Sequence, residues 1–373
     1  MFIEEYINVI YIPTLEQGGA QNVMISVANE ISKKGGIIYV FSNYGGGYID
    51  KIDEKVRLII FNKRSLFTVY NQYKILKKYN LINYLATTPQ CIMASLIIKL
   101  IIRLFNRTSR IRLVVRIATH QSSFIKNQTN LLYKVYYWLI ARSINYADRI
   151  IVLTKSMFDD ISIYVNKTKV DIVKNPTLNN DIKNNYKNIV KKYSNNLSNY
   201  DKIDILVLGR LAKKNNILDI IKIMKKLVAD GKYDYCCKII GAGDEYNNIK
   251  KEIEINGLTD NINLLGSINI PYEYLLKSDY YFSTSIMEGS PNALIEAMYF
   301  GNYPIVYDCP GGPKDIIQNN CGDLIEIGDI DTFCAKFYSV LEKGYSKQMI
   351  HESVKEMYDI NNIVHKYIEY FKI

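Results

Sequence analysis

Residues 280–308 read YYFSTSIMEGSPNALIEAMYFGNYPIVYD, and this stretch decides the fold class of the chain. The aromatic run at 280–285 is typical of a strand, and YPIVYD at 303–308 is typical of a second one. The apolar spacing between them predicts a helix. A strand, a helix and a second strand in this order predict parallel strands joined by a crossover helix, which is the repeating unit of α/β folds.

The start of this helix has the chemistry of an anion site. Ser290 is expected to cap the free backbone N–H groups, and Pro291 suits the first helical position because it has no N–H. Unpaired N–H groups and the helix dipole favour negative charge there. Glu288 and Glu296 add groups that bind hydroxyls, so a nucleotide sugar is the obvious candidate ligand. The pair alone is equally consistent with a charged first turn and a solvated glutamate.

The same alternation extends over most of the chain. In the first half, strands are predicted at 7–13, 37–42, 56–61, 82–86, 111–118 and 149–154. Helices are predicted between them at 19–34, 68–79, 90–106, 128–145 and 155–165. After a polar stretch, strands return at 204–210, 236–243, 262–266, 280–285 and 303–308, with further helices near 216–230 and 245–256.

This pattern predicts two Rossmann-like, doubly wound α/β domains that face a cleft, with ligands at the carboxyl ends of the strands. We expect an N-terminal acceptor-binding domain at 1–177 and a polar linker at 178–200. A nucleotide-sugar-binding domain is expected at 201–355, followed by a C-terminal helix at 356–373 that packs back on the N-terminal domain.

Composition narrows the class of protein. The 373 residues include six cysteines without a C-x-x-C pair and only three histidines, so a zinc site is not expected. Free thiols and the absence of a signal-peptide pattern favour a reducing cytosol. The net charge is +10, and residues 55–147 contain sixteen Lys and Arg but no Asp or Glu. Such asymmetry is typical of proteins with an anionic partner, either nucleic acid or a membrane surface.

We favour the membrane, because the sequence has no recognisable nucleic-acid-binding module. Lys99, Arg103, Arg107 and Arg110 are spaced to form one basic stripe on a helix, beside apolar residues. An interfacial helix on anionic lipid and a crossover helix packed in its own domain both fit this pattern. We expect the helix to serve both purposes.

Several strand ends carry glycines or charges that suit a ligand. In the first half these are Gly18 and Gly19 in PTLEQGGAQN, and His120 in RIATHQSSF. In the second half they are Gly209 and Arg210 with Lys213 and Lys214 in LGRLAKKNN, Gly241 and Gly243 in GAGDEYNNIKK, and Gly266 and Ser267 in LLGSIN. Glycines allow a ligand to approach the backbone, and an arginine can hold a diphosphate. Each loop taken singly is equally explained as an ordinary turn.

Two acidic pairs resemble metal sites but are better explained otherwise. Asp329 and Asp331 form a D-x-D pair, yet they precede a helix and are expected to cap it. Asp159 and Asp160 fall inside a predicted helix and are expected to be solvated. We therefore predict no metal cofactor.

Taken together, the order GGAQ, a strand-end His, NPT, GRL, GAG, EGSPNALIEAM and CPGGPKDII resembles the family 4 retaining glycosyltransferases with the GT-B fold. The resemblance covers about residues 10–330. No single motif is specific, but GRL followed by E-G-x-P-N-x-x-x-E is. The segment DCPGGPKDII looks most like bacterial enzymes that extend lipid-linked or capsular glycans with UDP-sugars.

The resemblance implies a role for each site residue. Arg210 matches the diphosphate-binding arginine, whereas the lysine usual five positions later is Asn215 here. Either Lys214, one residue earlier, replaces that lysine, or the donor is held differently. Glu296 matches the glutamate that holds the ribose, and Glu288 matches the one that contacts the donor sugar. The remaining matches are the turn Gly289, Ser290, Pro291 and Asn292, the donor loops with Gly241, Gly243 and Ser267, His120 near the anomeric carbon, and the closing loop with Gly18 and Gly19.

The resemblance thus implies a retaining, metal-independent glycosyltransferase. It would move a sugar from a UDP-sugar to a polyprenyl-linked or capsular, cell-surface glycan acceptor. We expect a cytoplasmic protein bound peripherally to the inner face of the cell membrane, with no nucleic-acid partner. The same fold acting on a protein, a teichoic acid or a soluble acceptor, and an inactive nucleotide-sugar binder, remain alternatives.

Overall fold

The computed structural model describes residues 4–16, 18–126, 130–193 and 202–371. These residues form two compact units. The first comprises the described residues up to Thr177 together with those from Asp359 onward, and the second comprises Leu178–Tyr358.

The first unit is built on a seven-stranded sheet in the order β3-β2-β1-β4-β5-β6-β7, in which all paired strands are parallel. Its strands are β1 (Glu4–Thr14), β2 (Tyr39–Tyr44), β3 (Arg57–Ile60), β4 (Tyr79–Ala86), β5 (Arg110–Arg116), β6 (Arg149–Val152) and β7 (Val170–Ile172). Its helices are α1 (Gly19–Lys33), α2 (Ser65–Leu76), α3 (Pro89–Phe105), α4 (Gln121–Lys126), α5 (Leu131–Ser143), α6 (Lys155–Ile161) and α15 (Ile360–Phe371).

Helices cover both faces of this sheet because the strand order reverses beside β1. Right-handed crossovers that run in opposite directions along a sheet place their helices on opposite faces. Alternate residues of β1 accordingly enter two different cores. Ile7, Val9 and Tyr11 pack with α2, α3, α5 and α6, whereas Ile10 and Ile12 pack with α1 and α15.

The second unit has a six-stranded parallel sheet in the order β10-β9-β8-β11-β12-β13. Its strands are β8 (Ile203–Leu208), β9 (Tyr235–Ile240), β10 (Ile262–Gly266), β11 (Tyr280–Ser283), β12 (Tyr303–Tyr307) and β13 (Asp323–Ile325). Its helices are α7 (Asn180–Tyr193), α8 (Ile217–Ala229), α9 (Tyr246–Ile255), α10 (Tyr272–Lys277), α11 (Asn292–Tyr299), α12 (Pro313–Ile316), α13 (Ile330–Lys343) and α14 (Lys347–Lys355).

The prediction of two parallel, Rossmann-like sheets is confirmed, and the C-terminal helix packs in the first unit. In α15, Val364 and Tyr367 are buried in the core shared with α1. The Tyr370 hydroxyl donates to Asp171 Oδ2 at 2.9 Å, and Asn83 Nδ2 donates to the carbonyl of Phe371 at 3.1 Å.

The expected polar linker differs from the structure, because its first part forms α7. This helix is polar overall, yet it buries Ile182 and Ile189. Its Lys192 Nζ lies 2.7 Å from Glu273 Oε1 on α10. The remainder of the expected linker, residues 194–200, lies outside the described residues. Its apolar residues at 182, 186, 189, 190 and 193 do have helical spacing, but Asn and Lys dominate the segment, and this polar composition led to the prediction of a linker.

The expected basic stripe on α3 is also wrong in part. Asn106 ends the helix, and its side chain donates to Ser109 Oγ at 2.8 Å. Arg107 therefore lies beyond the helix and Arg110 opens β5. Lys99 is on the helix, but its Nζ lies 2.7 Å from Asp148 Oδ2, and 17% of its side chain is exposed. Within the described ranges, no helix is long and apolar enough to cross a membrane.

Candidate donor site

The loop that carries Glu288 is held against the loop that follows β12. The Glu288 amide donates to the carbonyl of Pro310 at 3.1 Å. A Cβ atom on Gly311, whose φ is +123°, would lie 2.0 Å from the Glu288 carbonyl oxygen. A Cβ atom on Gly312 would lie 2.7 Å from the carbonyl oxygen of Gly289. The two glycines of CPGGPKDII thus let this loop fix the backbone that positions Glu288.

Helix α11 starts one residue later than expected. Pro291 is the N-cap residue and Asn292 is the first helical residue, so the prediction of a Ser290 cap with Pro291 at the first helical position is wrong by one residue. Pro291 has no side-chain group that could hydrogen-bond to the first turn. Glu296 lies within this short helix and is half-buried.

Lys214 is the cation nearest to Glu288. Its Nζ lies 3.5 Å from Glu288 Oε2, with 44% of the lysine side chain and 17% of the glutamate side chain exposed. The Ile286 amide donates to the Lys214 carbonyl at 2.9 Å, so the backbones of the two loops are joined beside the pair. Residues 213–215 form a single turn of 3-10 helix after β8.

Asn215 fastens the turn to the residues that follow β11. Its Nδ2 donates to Ser285 Oγ at 3.2 Å. The Thr284 hydroxyl donates to the carbonyl of Asn216 at 2.9 Å. In the described part of the chain, the buried Oδ1 of Asn215 has no hydrogen-bond partner. Lys214 and Asn215 therefore have different partners: the lysine ammonium lies beside Glu288, and the asparagine amide bonds to Ser285.

Arg210 follows β8 and is exposed, with no ion pair among the residues that the structure describes. The loops beside it pack closely through glycines. A Cβ atom on Gly241 would lie 1.8 Å from the carbonyl oxygen of Gly209, and one on Gly243 would lie 2.2 Å from that of Leu211. These loops can approach one another only where the side chain is a hydrogen.

The end of β10 joins the same edge. The Gly241 amide donates to the carbonyl of Gly266 at 2.8 Å, and the exposed Ser267 follows directly. Gly266 has a φ of +71°, a conformation that favours glycine. The ends of β8, β9 and β10 are therefore hydrogen-bonded in a row, as parallel pairing requires.

Tyr281 is a further residue of this site that sequence reasoning missed. Burial raises the pKa of its phenol, and the nearby charges of Glu288 and Glu296 raise it further. Its hydroxyl donates to the carbonyl of Leu208 at 3.3 Å. Burial also raises the pKa of the Cys309 thiol to about 12, with Glu288 as the second cause. Both carboxylates thus act electrostatically on the core beneath the loop.

In the first unit, Gly18 and Gly19 lie where α1 begins. Gly18 is its N-cap residue, and α1 starts at Gly19. The loop after β2 packs against the strand end just before them. The Tyr48 amide donates to the Leu15 carbonyl at 2.9 Å, and a Cβ atom on Gly46 would lie 2.3 Å from the Glu16 nitrogen. Gly46 therefore supports this loop, although its run of glycines was not singled out from the sequence.

His120 lies at the start of α4 and is held by Asp160. The His120 Nδ1 atom lies 3.4 Å from Asp160 Oδ2 and 3.0 Å from Ser123 Oγ. Asp160 also accepts from the amides of Gln121 at 2.6 Å and Ser122 at 3.2 Å. The expectation that Asp160 is solvated is wrong, since only 3% of its side chain is exposed. It neutralises the first turn of α4 and orients the histidine.

Of the acidic pair at 329–331, only Asp329 caps the helix as expected. Asp329 is the N-cap residue of α13, and its Oδ1 accepts from the Thr332 amide at 2.9 Å. Asp331 pairs with Lys226 on α8. Among the described residues, no group of three His, Cys, Asp or Glu side chains is placed to hold a metal ion.

Comparison with known proteins indicates the class of protein to which this chain is similar. Residues 190–357 match the family model described as "Glycosyl transferases group 1". An uncharacterized glycosyltransferase of Methanocaldococcus jannaschii is 27% identical over 330 residues, which cover 81% of this chain and 76% of that protein. The Campylobacter jejuni protein "N-acetylgalactosamine-N,N'-diacetylbacillosaminyl-diphospho-undecaprenol 4-alpha-N-acetylgalactosaminyltransferase" is 28% identical over 252 residues, which cover 66% of this chain and 64% of that protein.

Solved structures show the same fold. The Anabaena protein HepE in complex with UDP superposes with a TM-score of 0.77 at 16% identity, over 98% of this chain and 99% of that one. The HepE complex with UDP-glucose gives a TM-score of 0.76 at 16% identity, over 98% of each chain. The chain therefore has a GT-B-like fold of two Rossmann-like domains. Its group 1 domain makes it a glycosyltransferase.

Proposed function

We propose that this glycosyltransferase moves a sugar from a UDP-sugar to a polyprenyl-linked or capsular, cell-surface glycan, with retention of configuration and without a metal ion. The observation that carries the proposal is the distance of 3.5 Å between Lys214 Nζ and Glu288 Oε2. Lys214 shares the loop after β8 with the exposed Arg210, and Glu288 lies in the loop that leads into α11. Cations for a diphosphate and carboxylates for hydroxyls then meet at one sheet edge. That combination suits a nucleotide sugar.

The donor would lie along the row of strand ends in the second unit. Arg210 and Lys214 would hold the diphosphate, and the first-turn N–H groups of α11 would add favourable dipoles. Glu296 would accept hydrogen bonds from the ribose hydroxyls, and Glu288 from the transferred sugar. The loops at Gly241, Gly243 and Ser267 would line the nucleobase. The UDP and UDP-glucose complexes of HepE support UDP as the nucleotide.

Lys214 is the better candidate for the second diphosphate-binding cation, because Asn215 is turned toward Ser285. Glu288 Oε2 lies 3.5 Å from the Lys214 Nζ and so satisfies this lysine in part. A bound diphosphate carries more charge than one carboxylate and would draw the ammonium group toward itself. Glu288 would then be left to accept from sugar hydroxyls.

The proposed reaction breaks the bond between the anomeric carbon and the β-phosphate oxygen. The acceptor hydroxyl forms its bond to the same carbon from the same face, and its proton passes to the departing phosphate oxygen. Charge develops on the diphosphate as the bond breaks, and fixed cations stabilise that charge without reorganising. His120, oriented by Asp160, would lie near the anomeric carbon, and Gly18 and Gly19 would close over the substrates.

The proposed acceptor is supported by the name of one relative and by the positive charge of the first half of the chain. The Campylobacter jejuni protein is named for a diphospho-undecaprenol substrate, which resides in a membrane. The cationic region between residues 55 and 147 suits the surface of such a membrane. We therefore propose that the protein works at the cytoplasmic face of the cell membrane as a peripheral protein.

A donor screen tests this function. Release of UDP or GDP would be measured across the common UDP- and GDP-sugars with an extract of polyprenyl-linked glycans as acceptor. We expect turnover with one or more UDP-sugars. Glu296→Ala should weaken UDP binding about tenfold or more in titration calorimetry, since it removes hydrogen bonds to a charged group. The exposed α13 variant Glu342→Ala is the matched control, and unchanged UDP affinity in Glu296→Ala would refute the assignment.

A further inference from the structure

Helix α5 exposes most of its apolar side chains. Its sequence, LLYKVYYWLIARS, is apolar on every side, yet only Ile140 and Ala141 are buried. Leu131 and Leu132 are 72% and 78% exposed. The other large apolar residues with exposed side chains are Tyr133, Val135, Tyr136, Trp138 and Leu139. A helix that is apolar all round normally lies in a protein core or in lipid.

The exposed apolar surface continues onto the neighbouring helices of the same layer. Helices α2, α3 and α5 pack on one face of the sheet. Their outward residues include Leu66, Phe67 and Tyr70 on α2, and Leu100, Leu104 and Phe105 on α3. Among the described residues of α1 and α15, on the opposite face, no large apolar side chain is exposed. Among the helices named here, the exposed large apolar side chains therefore cluster on one layer of the sheet.

Basic side chains accompany this apolar surface. Exposed cations lie on the same three helices or just beyond them, including Lys74, Arg103, Arg107 and Arg142. The Arg142 guanidinium lies 4.9 Å from the centre of the Trp138 ring, and the Lys74 ammonium lies 4.5 Å from that of Tyr70. All three helices fall within residues 55–147, which lack acidic residues. Aromatic rings beside cations, with no acid, are typical of the boundary between headgroups and acyl chains.

We infer that α5, together with the exposed edges of α2 and α3, is the surface on which this protein binds an anionic lipid bilayer. The 13 residues of α5 span about 20 Å, too short for the ~30 Å hydrocarbon core, so the helix lies in the plane of the interface. Apolar side chains enter the acyl region while the cations meet anionic headgroups. The inference assigns membrane binding to α5, whereas the sequence pointed to α3. It depends on the proposed function only for the purpose that this membrane binding serves.

Trp138 makes the inference directly testable, because it is the only tryptophan in the chain. Its selectively excited fluorescence therefore reports on α5 alone. With vesicles of phosphatidylglycerol and phosphatidylcholine in equal amounts, the emission should shift to shorter wavelength and be quenched by acyl-brominated lipid. Phosphatidylcholine vesicles should give a much smaller effect. No shift and no co-sedimentation with the anionic vesicles would overturn the inference.

Two variants distinguish binding through this surface from nonspecific adsorption to vesicles. Leu131→Gln combined with Leu132→Gln should weaken partitioning onto anionic vesicles about 30-fold or more, since both side chains lose apolar transfer energy. Ile255→Gln, at an isolated exposed position on α9, is the control and should leave partitioning unchanged. Equal losses in both variants would overturn the inference. So would a Trp138 shift that depends on protein concentration without lipid, since a second copy of the chain would then cover α5.

The outcomes also distinguish this inference from the proposed reaction. The Leu131→Gln, Leu132→Gln variant should bind UDP with unchanged affinity. The Glu296→Ala variant should bind vesicles like the unaltered protein. Vesicle binding without UDP-sugar turnover would refute the reaction alone, and turnover without vesicle binding would refute the surface alone.

Discussion

The most informative single substitution is Lys214→Ala. In the free protein the Lys214–Glu288 pair is separated by 3.5 Å and is partly exposed, so its loss should change stability by no more than about 1 kcal/mol. A charge-assisted hydrogen bond to a diphosphate contributes about 1.5–3 kcal/mol. Because 44% of the lysine side chain is exposed, we expect the lower end of this range. The dissociation constant for UDP should therefore rise about tenfold.

Titration calorimetry with UDP, paired with thermal unfolding, measures both quantities. Lys213→Ala is the matched control, because this neighbouring lysine is exposed and has no ion pair among the described residues. Equal losses of affinity in the two variants would show only a general effect of charge. Unchanged affinity in Lys214→Ala would refute the view that this lysine replaces the one absent at Asn215.

Three further predictions concern the loop that contains Gly311, the dependence of stability on pH, and the need of the reaction for a metal ion. Gly311→Ala should destabilise the protein by about 2 kcal/mol more than the control Gly328→Ala, and it should also weaken UDP binding. Both glycines have positive φ, but only a Cβ atom at Gly311 would contact a backbone oxygen, that of Glu288. Equal urea midpoints for the two variants would contradict this prediction. Stability should fall as the pH rises from about 9 to 11, because burial raises the pKa of Cys91 and of Cys309 to about 12. The unfolded chain then binds fewer protons than the folded one, and a flat urea midpoint across that range would refute the reasoning. Transfer activity should survive EDTA, and a strict requirement for Mg²⁺ or Mn²⁺ in the UDP-release assay would contradict the metal-independent mechanism.

The fold was largely predictable because its signals are local. The aromatic and β-branched runs of β8, β11 and β12 and the apolar spacing of α8 and α11 lie within single elements. Short or polar elements were missed for the same reason. Helix α4 has only six residues, too few for a repeating apolar pattern. Helix α7 has helical spacing of its apolar residues, but it lies in a stretch rich in Asn and Lys whose polar composition favoured a linker.

For the candidate donor site, the sequence predicts which loops contribute, but it does not predict which side chains of those loops pair with one another. The motifs around Arg210, Glu288 and Glu296 identify the loops that take part, and their roles remain predictions. That Lys214 lies beside Glu288 while Asn215 turns to Ser285 depends on how the loops after β8 and β11 meet. These loops are far apart in sequence, and the pairing of β8 with β11 brings them close enough to hydrogen-bond to each other.

The sequence by itself determined the alternation of strands and helices, the cationic first half and the order of the motifs, because each depends on residue type and spacing alone. Only the tertiary structure decided that Asp160 is buried beneath His120, that Lys99 is paired with Asp148, and that α5 remains uncovered. Burial depends on which elements pack together. An apolar helix has the same sequence pattern whether another layer of the protein covers it or not.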